Sequence, residues 1–196
     1  MTAQGLAADN GGNEDIPYQG WGARLPYNAT LTYKASVHTI CREFGTEFRP
    51  RASRLRGDMW RYAFLTPECV AWARGALRQI PKSDTTQAVP WAQVEAKLTN
   101  YCDGASLRYQ DLHIAKPHER GVWEIKTVDV RVFGWFPDKN YLILHTGEDA
   151  EKLHDDLMLY KPFIDATANY RDALPPGVPG PIMSKELSDV VSDRRV

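Results

Sequence analysis

Glu124, Lys126 and Arg131 sit inside the stretch GVWEIKTVDVRVFGWF, residues 121–136, which a glycine opens, a short polar break interrupts, and Trp, Val, Ile and Phe largely fill. Side chains alternate across a strand, so Glu124 and Lys126 fall on one face of a first strand. Arg131 shares a face of the next strand with Phe133 and Trp135. Charges on such strands are cheap only if they face an open side or pair with one another. As cross-strand pairs they would add about 0.2–1 kcal/mol each. As a cluster on a concave face, one fixed cation, a second cation and a carboxylate make an anion-binding surface. The residues alone leave both readings open.

Two neighbouring groups extend the second reading. His145 closes a third apolar run and titrates near neutral pH, so it can give or take a proton; it can equally be a histidine at the core edge. Lys116, His118 and Arg120 precede the first strand, either as a solvated loop or as a basic approach to the same face. Upstream, RPRASRLRG packs four arginines into nine residues, and Arg61 follows. Such a run is a solvated linker or an arm that touches phosphates.

The elements that must position these residues are legible in part. Residues 59–65 read as a strand. Thr66 is a helix N-cap followed by Pro67 and Glu68, and Val70, Ala73, Leu77 and Ile80 recur at helical spacing until Pro81. Pro90 starts a second helix with Trp91, Val94, Leu98 and Tyr101 on one face, closed at Asp103-Gly104. Strands follow at 121–127, 129–136 and 141–146, then a helix over 147–171 that Pro162 kinks or restarts. The expected fold is α+β, a helical hairpin packed on a small antiparallel β-meander. Residues 1–22 read as disordered. Residues 23–58 read as an N-terminal extension in which ATLTYKASVHTICREFG suggests a strand leading into a short helix. Residues 172–196 read as a flexible Pro/Gly-rich tail.

Composition bounds the function. The 196 residues are 43% hydrophobic with six Trp, enough for a real core. A formal net charge of −1 announces neither a nucleic acid nor a membrane as partner, so any basic surface must be local. Cys41, Cys69 and Cys102 are far apart and odd in number, which reads as free core cysteines rather than a disulfide framework. No apolar run approaches the roughly 20 residues of a membrane span, and the first residues lack a secretory pattern. A cytoplasmic protein is expected.

The segment GVWEIKTVDVRVFGWFPDKNYLIL resembles the central meander of the RelE/ParE toxin superfamily, closest to its phage-derived Gp49-like or HigB-like branch. The likeness is specific over 121–145 and topological over the rest of 59–171. It implies the toxin component of a type II toxin–antitoxin system. Such a toxin is a metal-free and cofactor-free mRNA endoribonuclease, often ribosome-dependent, restrained by a small helix-turn-helix antitoxin. Carried over by position, it implies Arg131 and Lys126 as phosphate-stabilising cations, Glu124 as base or orienting group and His145 as acid or base. Lys116, His118, Arg120 and Arg61 would contact RNA. Residues 59–171 hold fourteen Lys and Arg against fifteen Asp and Glu, and the third strand runs into the acidic TGEDAEKLHDD. Many relatives are basic there. The alternative is therefore a non-catalytic member of the same fold that binds a protein target, as the gyrase-binding branch does, or an accessory partner of a phage or mobile element.

Overall fold

The computed structural model describes residues 29–51, 59–84, 88–155 and 157–193. The expected disorder of residues 1–22, and Arg54 and Arg56 of the arginine run, lie outside them.

Six strands form one mixed sheet in the order β1-β2-β6-β5-β4-β3. They are β1 (Thr46–Glu47), β2 (Tyr62–Leu65), β3 (Leu112–Ile114), β4 (Trp123–Lys126), β5 (Val130–Asp138) and β6 (Tyr141–Asp149). The helices are α1 (Ala29–Phe44), α2 (Pro67–Arg74), α3 (Pro90–Cys102), α4 (Ala150–Asp155), α5 (Tyr160–Asp172) and α6 (Leu187–Val190). The α+β class and the helical hairpin hold. The purely antiparallel meander holds only for β3 to β6, because β2 runs parallel to β6, with Phe64 opposite Ile143. The chain leaves β2, crosses one face of the sheet through α2 and α3, and enters the opposite edge at β3. Covered on both sides, β2 needs two adjacent buried apolar residues, Ala63 and Phe64, rather than alternation.

Local chemistry sets the hairpin as the sequence suggests. Thr66 caps α2, its hydroxyl accepting from the Cys69 N–H at 3.2 Å, and Pro67 opens the helix. On that face Leu77, Val94, Leu98 and Tyr101 bury against Ile125, Val132, Leu142 and Leu144. Each such side chain, fully buried, stabilises the fold by about 1.5–3 kcal/mol. Gly134 marks where β5 and β6 slip register; a Cβ there would lie 2.1 Å from the Ile143 carbonyl oxygen. Only glycine permits that approach.

Three expectations are corrected. ATLTYKASVHTICREF is one helix, α1, not a strand and a short helix. Its β-branched residues suggest a strand, but Val37 and Cys41 lie four apart and pack together on Phe64, Trp135 and Ile143. The extension is therefore part of the fold, and β1 pairs with β2. The third correction concerns the tail. Val190 and Val191 are buried in the hairpin core, and Ile182 N–H donates to the Phe136 carbonyl at 2.8 Å. A Pro/Gly-rich sequence hides this, because two valines and a few backbone bonds carry the docking.

The tail also swallows Arg61. Its guanidinium is fully buried and donates to the carbonyls of Ser192, Tyr101 and Ala105 and to Asp193 Oδ1, at 2.8–3.3 Å. Removing residues 187–196 would take away Asp193, its one carboxylate partner among the described residues, and the Ser192 carbonyl. Unpairing a buried charge costs about 3–5 kcal/mol. Urea unfolding of the truncated chain should show a loss of that size; an unchanged midpoint would mean that the tail contributes nothing.

Candidate functional site

The sheet face opposite the helical hairpin carries the charged cluster, and strand register assembles it. Lys126 lies opposite Arg131, Glu124 opposite Phe133 and His113 opposite Glu124. All of these therefore project to one side. This side is not open. Leu153 of α4 and Ile164 and Ala168 of α5 pack on Phe133, Val122 and Ala115, and α1 covers the neighbouring Trp135.

Beneath that cover Glu124 and Arg131 are 2% and 7% exposed. Arg131 Nε lies 3.2 Å from Glu124 Oε1, yet the N–H forms no hydrogen bond. The contact is therefore Coulombic attraction at ion-pair distance. The two terminal guanidinium nitrogens each have partners. Nη1 donates to the carbonyls of Thr127 and Val130, at 2.5 and 3.1 Å. Nη2 contacts His154 Nε2 at 3.0 Å, and since a guanidinium only donates, that ring nitrogen must accept. Glu124 Oε2 meets His113 Nε2 at 3.2 Å, and the Tyr160 hydroxyl donates to Oε1 at 3.5 Å. Burial, then the charge of Glu124, raises the Tyr160 phenol above its ordinary value near 10, so it stays protonated.

One end of this network opens into a cleft of about 390 Å³ lined by Tyr109, His113, Ala115, Lys116, Glu124, Lys126 and Tyr160. Lys116 is exposed and Lys126 half-buried. Neither ammonium group has a hydrogen-bond or ion-pair partner among the described residues. His113 Nδ1 is buried without a partner, and the ring of Tyr109 tilts against His113 at 5.0 Å between centroids. The cleft thus combines two free ammonium groups, a carboxylate-backed imidazole and a neutral phenol. Among the described residues no group of three or more His, Cys, Asp or Glu side chains is placed to hold a metal ion. No described helix is long and apolar enough to cross a membrane.

The expected site residues separate. Glu124, Lys126 and Lys116 meet at the cleft. Arg131 supports Glu124 from behind and does not line the cleft. His145 sits at the β5–β6 bulge, where its Nδ1 pairs with the Thr66 hydroxyl at 3.1 Å and its ring stacks on Tyr170 at 4.3 Å. It makes no contact with the cluster. Arg120 anchors the turn before β4 to α5, with Nη2 donating to Asn169 Oδ1 at 2.8 Å and Nε 3.6 Å from Asp165. His118 is half-buried in the same turn, its Nε2 without a partner. Arg61, expected to contact RNA, is sealed under the tail and cannot reach one. His113, Tyr160, Tyr109 and His154 were not selected from the sequence. The cross-strand register of β3 places His113, and the packing of α4 and α5 places Tyr160 and His154. A histidine in a two-position repeat, Leu112-His113-Ile114, was the one available signal.

No protein-family model matches the chain, and no curated protein and no solved structure matches it either.

Two measurements check this geometry. Glu124→Gln removes the charge facing buried Arg131 and should destabilise by about 3 kcal/mol. Adding Arg131→Met should recover part of that loss in chemical unfolding, whereas additive losses would mean that the two are not coupled. Burial holds His145 below its ordinary value near 6.5, while Glu68, 3.9 Å away, pulls weakly the other way. The unfolded chain therefore takes up a proton that the folded chain resists. The stability from neutral His145 is full above about pH 6.5 and is lost as pH falls through the lower folded value. In His145→Gln the melting temperature should depend less on pH just below 6.5 than in the wild type.

Proposed function

We propose that the protein is a toxin-type, metal-free endoribonuclease of the RelE/HigB kind, working at the cleft beside Glu124. The observation that carries this reading is the convergence of Glu124, Lys126, Lys116, His113 and Tyr160 on one cleft, on the sheet face opposite the helical hairpin. The segment whose sequence resembles the family's meander supplies Glu124 and Lys126, and Arg131 behind them.

The chemistry follows from the roles these groups can fill. A carboxylate at 3.2 Å favours the proton on His113 Nε2 and leaves Nδ1 as the acceptor. Nδ1 is buried and unpartnered in the free protein, so substrate entry must open it to a ribose 2′-hydroxyl in the cleft. Nδ1 takes that proton while the 2′-oxygen bonds to the adjacent phosphorus. Lys116 and Lys126 meet the growing negative charge on the non-bridging oxygens. The bond from phosphorus to the 5′-oxygen then breaks, and the protonated Tyr160 phenol supplies the proton to the leaving oxygen. The products are a 2′,3′-cyclic phosphate and a free 5′-hydroxyl. Arg131 is a positioning residue here, since it is buried beside Glu124 and does not line the cleft. In this reading a small helix-turn-helix antitoxin restrains the protein, and its substrate is mRNA, free or on the ribosome.

The burial of Arg131 favours a second reading, a member of the fold that binds a protein target and does not cut RNA. An arginine that is buried and does not line the cleft cannot grip a phosphate there directly. Expression in a bacterial host, with end-mapping of cleaved mRNA, separates the two. Lys126→Met and His113→Ala should each lower cleavage by about 10²–10⁴-fold. Lys126→Met should do so without loss of stability, because the Lys126 ammonium has no partner among the described residues and the change keeps the strand backbone. Growth arrest by the wild type with intact mRNA would establish the second reading in place of the first.

A further inference from the structure

A second cleft lies away from this site, between the edge strand β1 and the helical hairpin. It has a volume of about 560 Å³ and shares no lining residue with the cleft beside Glu124. Its floor is apolar: Phe48, Leu65, Val70, Leu77, Val94 and Leu98. Its rim carries Arg49, Arg51, Arg74 and Arg78 against Glu47 and Glu95. Arg49 is spent on Glu47 at 3.1 Å. Arg51, Arg74 and Arg78 are exposed and have no carboxylate partner among the described residues. Arg78 lies over the Trp91 ring at 4.6 Å, which holds its guanidinium at the rim. A chain with a net charge of −1 thus gathers unneutralised arginines around one aliphatic trough.

We propose that this groove docks an acidic amphipathic peptide segment of a partner protein, with aliphatic side chains on the floor and carboxylates on Arg51, Arg74 and Arg78. Charge and polarity select that occupant together. A nucleic acid would satisfy the arginines and leave the aliphatic floor facing phosphates and water, and the Trp91 face on which a base would stack is already covered by Arg78. A purely apolar partner would bury three guanidinium groups without acceptors. An amphipathic segment with interspersed Asp or Glu meets both demands, and bidentate guanidinium–carboxylate bonds fix its register.

The test is a selection of random 16-residue peptides on the full-length protein, with a random RNA pool selected in parallel. Arg74→Glu/Arg78→Glu is the comparison variant; both positions are exposed, and it should still unfold in a single cooperative thermal transition, somewhat below the wild type because Arg78 leaves the Trp91 ring. The expected result is enriched peptides that combine aliphatic residues with Asp or Glu, bind more weakly as salt rises, and lose at least tenfold in affinity for the variant. Lys126→Met should bind them as the wild type does, so this outcome stands whether or not the cleft beside Glu124 cuts RNA. Three results would overturn the proposal: no peptide enrichment, enriched peptides lacking acidic residues or indifferent to the variant, or RNA enriched in their place and lost with the variant.

Discussion

A carboxylate and a guanidinium held together under a helix govern the arrangement of this protein's charged face. Taken singly, Glu124 or Arg131 could not sit where it does, because a lone charge beneath α5 would be far too costly. Their proximity offsets the charge, and Thr127, Val130 and His154 accept from the two terminal guanidinium nitrogens. Exchange with a well-packed apolar pair can be neutral or even stabilising. The pair is therefore better understood as fixing where Glu124 points than as a source of stability. It holds one carboxylate oxygen toward Arg131 and the other toward His113, on the face from which Lys126 reaches the cleft.

Three covers close the sheet around that pair, and each leaves a different edge. The hairpin and the tail seal the first face and take Arg61 with them. α1 closes the aromatic end around Trp135, and α5 closes the charged end. The cleft beside Glu124 exists because β3 reaches beyond the cover of α5. The arginine-rimmed groove exists because β1 is only two residues long and leaves the flank of the hairpin bare. The buried cysteines take part in none of this chemistry. Burial pushes the thiols of Cys41, Cys69 and Cys102 up to about 12, so they stay protonated and behave as small apolar side chains.

The elements with strong local signals were readable: the Thr66 cap, both hairpin helices, and the three strands that follow. The restart at Pro162 was also readable, as α5 begins two residues before it. The errors share one cause. α1 carries β-branched residues that only the aromatic cluster turns into a helix face, and β3 is three residues long and defined by its partner. The docked tail depends on two valines meeting a distant core. In each case the decisive contact lies far along the chain, where periodicity cannot reach.

The same division runs through the candidate site. Alternation along β4 placed Glu124 and Lys126 on one face, because side-chain direction in a strand is a local property of the backbone. It could not reveal that Arg131 spends its donors inward, that His145 turns to Thr66 and Tyr170, or that Arg61 is a core residue. Nor could it bring His113 and Tyr160 to Glu124. Those outcomes follow from strand register and helix docking, which join residues dozens of positions apart and decide which charges meet water and which meet one another.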